Sequence, residues 1–165
     1  MQSIKAVIFD WGNTVMREFP QYSGPMAQWP RVKCVSNIPG ALRRLQGKFI
    51  CCLTTDNEEN DAQLMELALK RIGIQDYFNH LYTSAELGVR KPDPRFFERI
   101  VEKLEITPQE CIMVGTDYER DIVPAKKVGM RTIFFTENTN TADHYPQADY
   151  IITTMIHLVS SIMGN

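Results

Sequence analysis

The chain has 165 residues, 44% of them hydrophobic, which is enough for one globular domain with a buried core, residues 1–165. The formal net charge is -2, and lysine and arginine are scattered along the sequence, so a basic stripe for binding nucleic acid is excluded. No run approaches the roughly 18 apolar residues that cross a bilayer, and the first residues lack a cleavable leader pattern, so we expect a cytoplasmic protein without a membrane partner.

Six short apolar runs recur along the chain, with helical patterns between them. They cover Ala6–Phe9, Phe49–Leu53, His80–Tyr82, Cys111–Val114, Thr132–Phe135 and Tyr150–Ile152. This alternation is typical of a parallel sheet with helices on both faces. It predicts a doubly wound, Rossmann-like α/β fold, in which three α/β/α layers surround a central parallel sheet.

The four cysteines are typical of a protein from a reducing compartment. Cys51, Cys52 and Cys111 fall inside the apolar runs, where cysteine behaves as a small buried hydrophobe. Neither they nor Cys34 form a CxxC pair, so the spacing indicates no metal site or redox motif.

Helix boundaries are marked by glycine, proline and capping residues between the apolar runs. The predicted helices are Pro39–Gln46 before Gly47, Glu58–Ile72 before Gly73, a helix opened by Asp93 and Pro94 that continues through Leu104, and Asp121–Val128 before Gly129. Thr107 to Glu110 resembles a capping box, but the apolar run that follows leaves room only for a brief turn.

Residues 15–35 are the irregular part of the chain. They contain three prolines, Gly24, Tyr22 and Trp29, and they follow the first predicted strand. We expect a long ordered loop. Long loops without regular structure are often functional, but a loop that Met26 and Trp29 pin against the sheet is an equal alternative.

Four polar segments stand at predicted strand ends or just before helices, where ligands bind in open α/β sheets. They are Asp10-Trp11-Gly12-Asn13-Thr14, Leu53-Thr54-Thr55, Lys91-Pro92-Asp93-Pro94, and Gly115-Thr116-Asp117 with the later Asp121. Singly, each has a structural explanation, such as a turn-forming aspartate or a solvated lysine. Together and in this order, along nearly the whole chain, they resemble the haloacid dehalogenase-like hydrolase superfamily.

This resemblance implies a Mg²⁺-dependent phosphatase that acts through an aspartyl-phosphate intermediate. Asp10 would attack phosphorus as the nucleophile. Lys91 and the hydroxyl of Thr54 would hold the phosphoryl oxygens, and Thr55 replaces Thr54 if the motif is displaced by one residue.

The same resemblance implies a Mg²⁺ site with oxygen ligands only. The expected ligands are Asp10, the backbone carbonyl of Gly12, and Asp117 or Asp121. The family usually has an aspartate directly after the glycine of the fourth segment, whereas this chain has Thr116 there. We therefore expect Asp117 to bind the metal and Asp121 to support it.

Gly12 is the main departure from the family pattern. Phosphatases of the superfamily usually carry a second aspartate at this position, which protonates the leaving group and later activates water. General acid–base help is worth about 10² to 10⁴ in rate, so we expect good leaving groups to be favoured over alkyl esters. Gly12→Asp should then raise alkyl phosphatase activity. The alternative is a catalytically weak or silent domain that binds a phosphorylated ligand or partner.

No stretch of the sequence is long enough for a sizeable cap domain. Residues 15–35 are accounted for by the loop, and residues 58–90 by one helix and one strand. An open site fits a small phosphorylated substrate or a phosphorylated macromolecule. A large substrate, a neighbouring subunit of a homo-oligomer, or the loop with Tyr22 and Trp29 would cover it.

Overall fold

Six apolar segments form a parallel sheet at the centre of the computed structural model, which describes residues 2–140 and 144–164. The strands are β1 (Ala6–Asp10), β2 (Ile50–Thr55), β3 (His80–Thr83), β4 (Cys111–Gly115), β5 (Arg131–Phe135) and β6 (Tyr150–Ile152). Their order across the sheet is β3-β2-β1-β4-β5-β6. All six predicted strands are confirmed with small shifts at their ends. The terminal residues 1 and 165 of the predicted domain lie outside the described part.

The alternation of side chains along β1 explains why the strands are continuously apolar. Val7 and Phe9 are buried in the core on one face of the sheet, whereas Ala6 and Ile8 are buried in the core on the other. A parallel strand that is covered on both faces has no exposed side, so every position favours an apolar residue.

Six α-helices cover the two faces of the sheet in the described part of the chain. They are α1 (Ile38–Leu45), α2 (Ala62–Arg71), α3 (Ser84–Leu87), α4 (Arg95–Leu104), α5 (Val123–Val128) and α6 (Leu158–Met163). Residues of α1, α2 and α6 pack in the core with Val7 and Phe9. Residues of α3, α4 and α5 pack in the core with Ala6 and Ile8. The predicted doubly wound α/β/α fold is therefore confirmed.

Two helices begin later in the sequence than predicted. The helix expected from Glu58 begins at Ala62, because the Asp61 carboxylate accepts the backbone N–H of Leu64 at 2.8 Å and caps it there. The helix expected from Asp121 begins at Val123, after a single π-helical turn over Tyr118–Ile122. The helices α3 and α6 were not predicted at all.

The loop predicted over residues 15–35 is ordered, and it contains one short 3₁₀ turn, Met26–Gln28. Met26 is buried, and its N–H donates to Oδ1 of Asn60 at 3.2 Å. The Arg71 guanidinium of α2 donates to the Trp29 carbonyl at 2.6 Å. These contacts pin the loop to the rest of the fold, as one of the two interpretations expected.

The strand order reverses between β1 and β4, because successive strands run outward from β1 through β2 to β3 and then from β4 through β5 to β6. In open α/β sheets, the crevice for a ligand lies at such a switch point, beyond the carboxyl ends of the strands.

Among the described residues, no helix is both long and apolar enough to cross a membrane.

Candidate active site

A cavity of about 640 Å³ opens at the carboxyl ends of β1, β2 and β4, where the strand order reverses. Residues from all the predicted polar segments line it. They include Asp10, Gly12, Thr55, Lys91, Asp117 and Asp121. Residues that are far apart in the sequence thus meet at the position that the fold reserves for a ligand.

Asp10 is the last residue of β1, and its side chain is only 17% exposed. Its Oδ1 accepts from the Lys91 ammonium at 2.7 Å, and its Oδ2 accepts from the Thr14 hydroxyl at 3.3 Å. Both oxygens are therefore held in place. The carboxylate lies at the cavity wall with both oxygens hydrogen-bonded.

Lys91 connects Asp10 with a second acid. Its side chain is 2% exposed, and Nζ also donates to Oδ1 of Asp121 at 2.8 Å. Burial alone lowers the pKa of Lys91, but the negative charges of Asp10 and Asp121 outweigh it, so the pKa is raised. The amine therefore stays charged and can neutralise an anion in the cavity.

Asp121 is the most deeply buried acid of the site, with 2% of its side chain exposed. Its Oδ2 accepts the backbone N–H of Asp117 at 3.1 Å. Burial and the charge of Asp10 raise the pKa of Asp121, and Lys91 opposes that shift. Gly115 allows this approach, because a Cβ at that position would lie 2.6 Å from Cγ of Asp121.

Asp117 lies at the exposed edge of the same cavity. Its Oδ1 accepts the backbone N–H of Arg120 at 3.1 Å and caps the π-helical turn. Asp121, rather than Asp117, therefore shares the Lys91 ammonium with Asp10. This geometry favours Asp121 over Asp117 as the acid that acts together with Asp10.

The two threonines that end β2 have different positions. The Thr54 hydroxyl is fully buried and donates to the Phe9 carbonyl at 3.1 Å, and this residue is not among the described residues that line the cavity. Thr55 does line it, and its hydroxyl accepts the backbone N–H of Asn57 at 3.1 Å. The structure thus places Thr55, the alternative that the sequence left open, at the site.

The carboxylates of Asp10 and Asp121 face each other across Lys91, since both lie within 2.8 Å of its ammonium nitrogen. Oxygen donors of this kind suit Mg²⁺. In the described part of the chain, no group of three or more His, Cys, Asp or Glu side chains is gathered as a metal site. The predicted contribution of the Gly12 carbonyl stays a prediction.

Glu18 is a site residue that the sequence did not reveal. It lines the cavity, and a Cβ built on Gly12 would overlap its carboxylate, with Cδ only 2.6 Å away. Burial and the charge of Asp10 raise the pKa of Glu18 above its ordinary value. Glu18 lies within the irregular loop, where no periodicity or motif distinguishes it from the neighbouring polar residues.

The chain matches known proteins along most of its length. A family profile described as "Haloacid dehalogenase-like hydrolase" matches residues 3–135. A glyceraldehyde 3-phosphate phosphatase of Pyrococcus furiosus is 33% identical over 129 residues, 74% of this chain and 52% of that protein. A ribulose-1,5-bisphosphate 5-phosphatase of Halopiger xanaduensis is 32% identical over 139 residues, 78% of this chain and 57% of that protein. The chain thus spans about half the length of these curated relatives.

Solved structures share the fold. An uncharacterised protein from Listeria monocytogenes serotype 4b has a TM-score of 0.80 at 23% identity, and the match covers 97% of each chain. A HAD phosphatase from Thermococcus onnurineus has a TM-score of 0.67 at 29% identity, covering 81% of this chain and 59% of that one.

Proposed function

The chain belongs to the haloacid dehalogenase-like hydrolases, and we propose that it hydrolyses phosphate monoesters with Asp10 as the nucleophile. The observation that carries this proposal is the Asp10 carboxylate at the end of β1, held 2.7 Å from the Lys91 ammonium. A carboxylate in this position attacks phosphorus and divides hydrolysis into two easier steps. The phosphatase names of the two curated relatives support the same reaction class.

The side chains around Asp10 have different roles in binding and orienting the phosphate group. Lys91 neutralises the phosphoryl oxygens while Asp10 forms the aspartyl phosphate. Asp121 holds the Lys91 ammonium at 2.8 Å, and so keeps it aimed at the reacting carboxylate. The Thr55 hydroxyl at the cavity wall binds a further phosphoryl oxygen.

We assign a Mg²⁺ ion to the carboxylates of Asp10 and Asp121. Bound there, it supplies positive charge that lowers the repulsion between the Asp10 carboxylate and an anionic phosphate. Its donor set consists of oxygens, which is the set that Mg²⁺ prefers.

We propose that this capless domain acts on a small phosphorylated molecule. Its site is open, so a phosphorylated macromolecule or a second subunit also fits beside it. The four free cysteines are in keeping with a reducing cytoplasm.

A panel of phosphorylated metabolites, assayed with and without Mg²⁺, tests the proposal. We expect Mg²⁺-dependent phosphate release that Asp10→Asn abolishes and that Asp76→Asn, at an exposed acid away from the site, leaves unchanged. Beryllium fluoride should bind at Asp10 of the wild-type protein. Full turnover by Asp10→Asn contradicts the proposal, and ligand binding without any turnover supports the silent binding domain instead.

A further inference from the structure

A carboxyl group fills the space where residue 12 has no side chain. The backbone of Gly12 does not adopt a positive φ, so its conformation alone does not demand glycine. The Glu18 carboxylate lies against this glycine, because an added Cβ would overlap it, with Oε1 the nearest atom and Cδ 2.6 Å away, so any side chain at position 12 would displace the Glu18 carboxylate. The acid of residue 18 thus occupies the space beside Gly12.

Glu18 is exposed, and Asn13 in the preceding turn contacts both its backbone and its carboxylate. Its backbone N–H donates to Oδ1 of Asn13 at 3.1 Å, and Nδ2 of Asn13 donates to Oε2 of Glu18 at 3.4 Å. Asn13 itself has a φ of 56°, a left-handed conformation that asparagine tolerates better than most residues. The same side chain therefore shapes the turn and holds one carboxylate oxygen, while Oε1 points to Gly12.

The two residues before Glu18 are held by contacts with the end of the loop and with Glu137. The backbone N–H of Arg17 donates to the Lys33 carbonyl at 2.8 Å, and Nη2 of Arg17 donates to Oε2 of Glu137 at 2.8 Å. Met16 forms a β-bridge with Cys34. Glu18 thus directly follows a segment whose backbone is paired with residues 33 and 34.

Glu18 also lies between two cavities. It lines the 640 Å³ cavity that contains Asp10 and Lys91, and it lines an adjoining cavity of about 280 Å³. The aromatic rings of Tyr22 and Trp29 form part of the second cavity. A phosphate ester with its phosphorus at Asp10 and its organic group in the aromatic cavity would place its bridging oxygen beside Glu18.

We propose that Glu18 is the general acid and base of the phosphatase reaction, in the role that residue 12 cannot fill. This inference rests on the proposed function. In the first step, an Asp10 oxygen bonds to phosphorus, the bond from phosphorus to the bridging oxygen breaks, and that oxygen takes the proton of the Glu18 carboxyl group. In the second step, Glu18 takes a proton from water while the water oxygen bonds to phosphorus. The aspartyl ester bond breaks, its electron pair returns to Asp10, and inorganic phosphate leaves.

The two steps give Glu18→Gln a recognisable kinetic signature. The amide keeps the size of the side chain and an oxygen for Asn13, but it transfers no proton. We expect turnover of glycerol phosphate to fall by about 10² to 10⁴. With p-nitrophenyl phosphate the first step needs no proton, so one equivalent of nitrophenolate should be released in a burst, followed by slow turnover. Intact-protein mass spectrometry should then show the phosphorylated Asp10.

Glu119→Gln is the matched control, because it removes the same charge from an exposed position near the site. It should show wild-type ratios of alkyl to aryl turnover and no burst. If Glu18→Gln also keeps the wild-type ratio and accumulates no phosphoenzyme, the role of Glu18 is wrong while the phosphatase function stands. If the wild-type protein hydrolyses neither ester, both the proposed function and this inference fail.

Discussion

Lys91 and Asp10 lie 81 residues apart in the chain, yet Nζ of Lys91 is 2.7 Å from Oδ1 of Asp10. With Asp121 on the other side of the same ammonium, one cation separates two acids, and the side chains of Lys91 and Asp121 are each 2% exposed. Desolvation makes such a cluster expensive if any member loses its partner. We therefore expect Lys91 to stabilise the fold in addition to its proposed role in binding phosphate.

Lys91→Met should destabilise the protein, because it leaves two carboxylates facing each other without a cation. Removing one partner of a buried ion pair costs about 3–5 kcal/mol, and we expect a loss of that size in the free energy of unfolding from urea titration. Lys103→Met is the control, since its ion pair with Glu86 is 42% and 43% exposed and is worth less than about 1 kcal/mol. Equal losses for the two variants would contradict a buried cluster.

Asp121→Asn and Asp117→Asn should differ in their effect on metal binding. Asp121 shares its cation partner with Asp10, whereas the Asp117 carboxylate caps a turn at the exposed edge of the cavity. We expect Asp121→Asn to weaken Mg²⁺ binding by at least about tenfold in calorimetric titrations. Asp117→Asn should weaken it less. The opposite order would restore the ligand assignment that the sequence favoured.

Thr55→Val and Thr54→Val separate substrate binding from packing. Loss of a hydrogen bond from the Thr55 hydroxyl to a charged phosphate costs about 1.5–3 kcal/mol, which predicts a drop of about 10- to 100-fold in kcat/KM. Thr54→Val removes the bond to the Phe9 carbonyl, so it should lower stability by about 1 kcal/mol and affect kcat/KM less. A larger kinetic loss for Thr54→Val would reverse the assignment.

The sheet could be predicted from the sequence because its strands are buried on both faces. In β1, for example, Val7 and Ile8 face opposite sides and are both fully buried, so the apolar run has no polar interruption. The helix α6 was missed because its apolar residues Leu158, Val159 and Ile162 occupy less than two turns. A pattern that short does not distinguish a helix from a strand.

Part of the candidate site could also be predicted, where the local sequence places a residue at the end of a strand. Asp10 directly follows an apolar run, so local sequence shows that it lies at a strand end. The position of Glu18 is set instead by the path of an irregular loop and by its bonds to Asn13. The choice between Thr54 and Thr55 depends on which side of β2 faces the cavity, and the local sequence leaves that undecided.

Gly12→Asp tests the relation between residues 12 and 18 most directly. The sequence alone predicts that this variant gains alkyl phosphatase activity, but the structure predicts no gain, because the new side chain would displace the Glu18 carboxylate and so exchange one acid for another. Glu18→Ala opens that space at the cost of the acid. We therefore expect Glu18→Ala to lose turnover of glycerol phosphate and Gly12→Asp combined with Glu18→Ala to regain at least about tenfold of it, since a positioned acid contributes about 10² to 10⁴. Steady-state kinetics on the four proteins measure this, with p-nitrophenyl phosphate as the substrate whose leaving group needs no proton. A gain from Gly12→Asp alone, with Glu18 intact, would show that the acid of residue 18 does not stand in for a side chain at position 12.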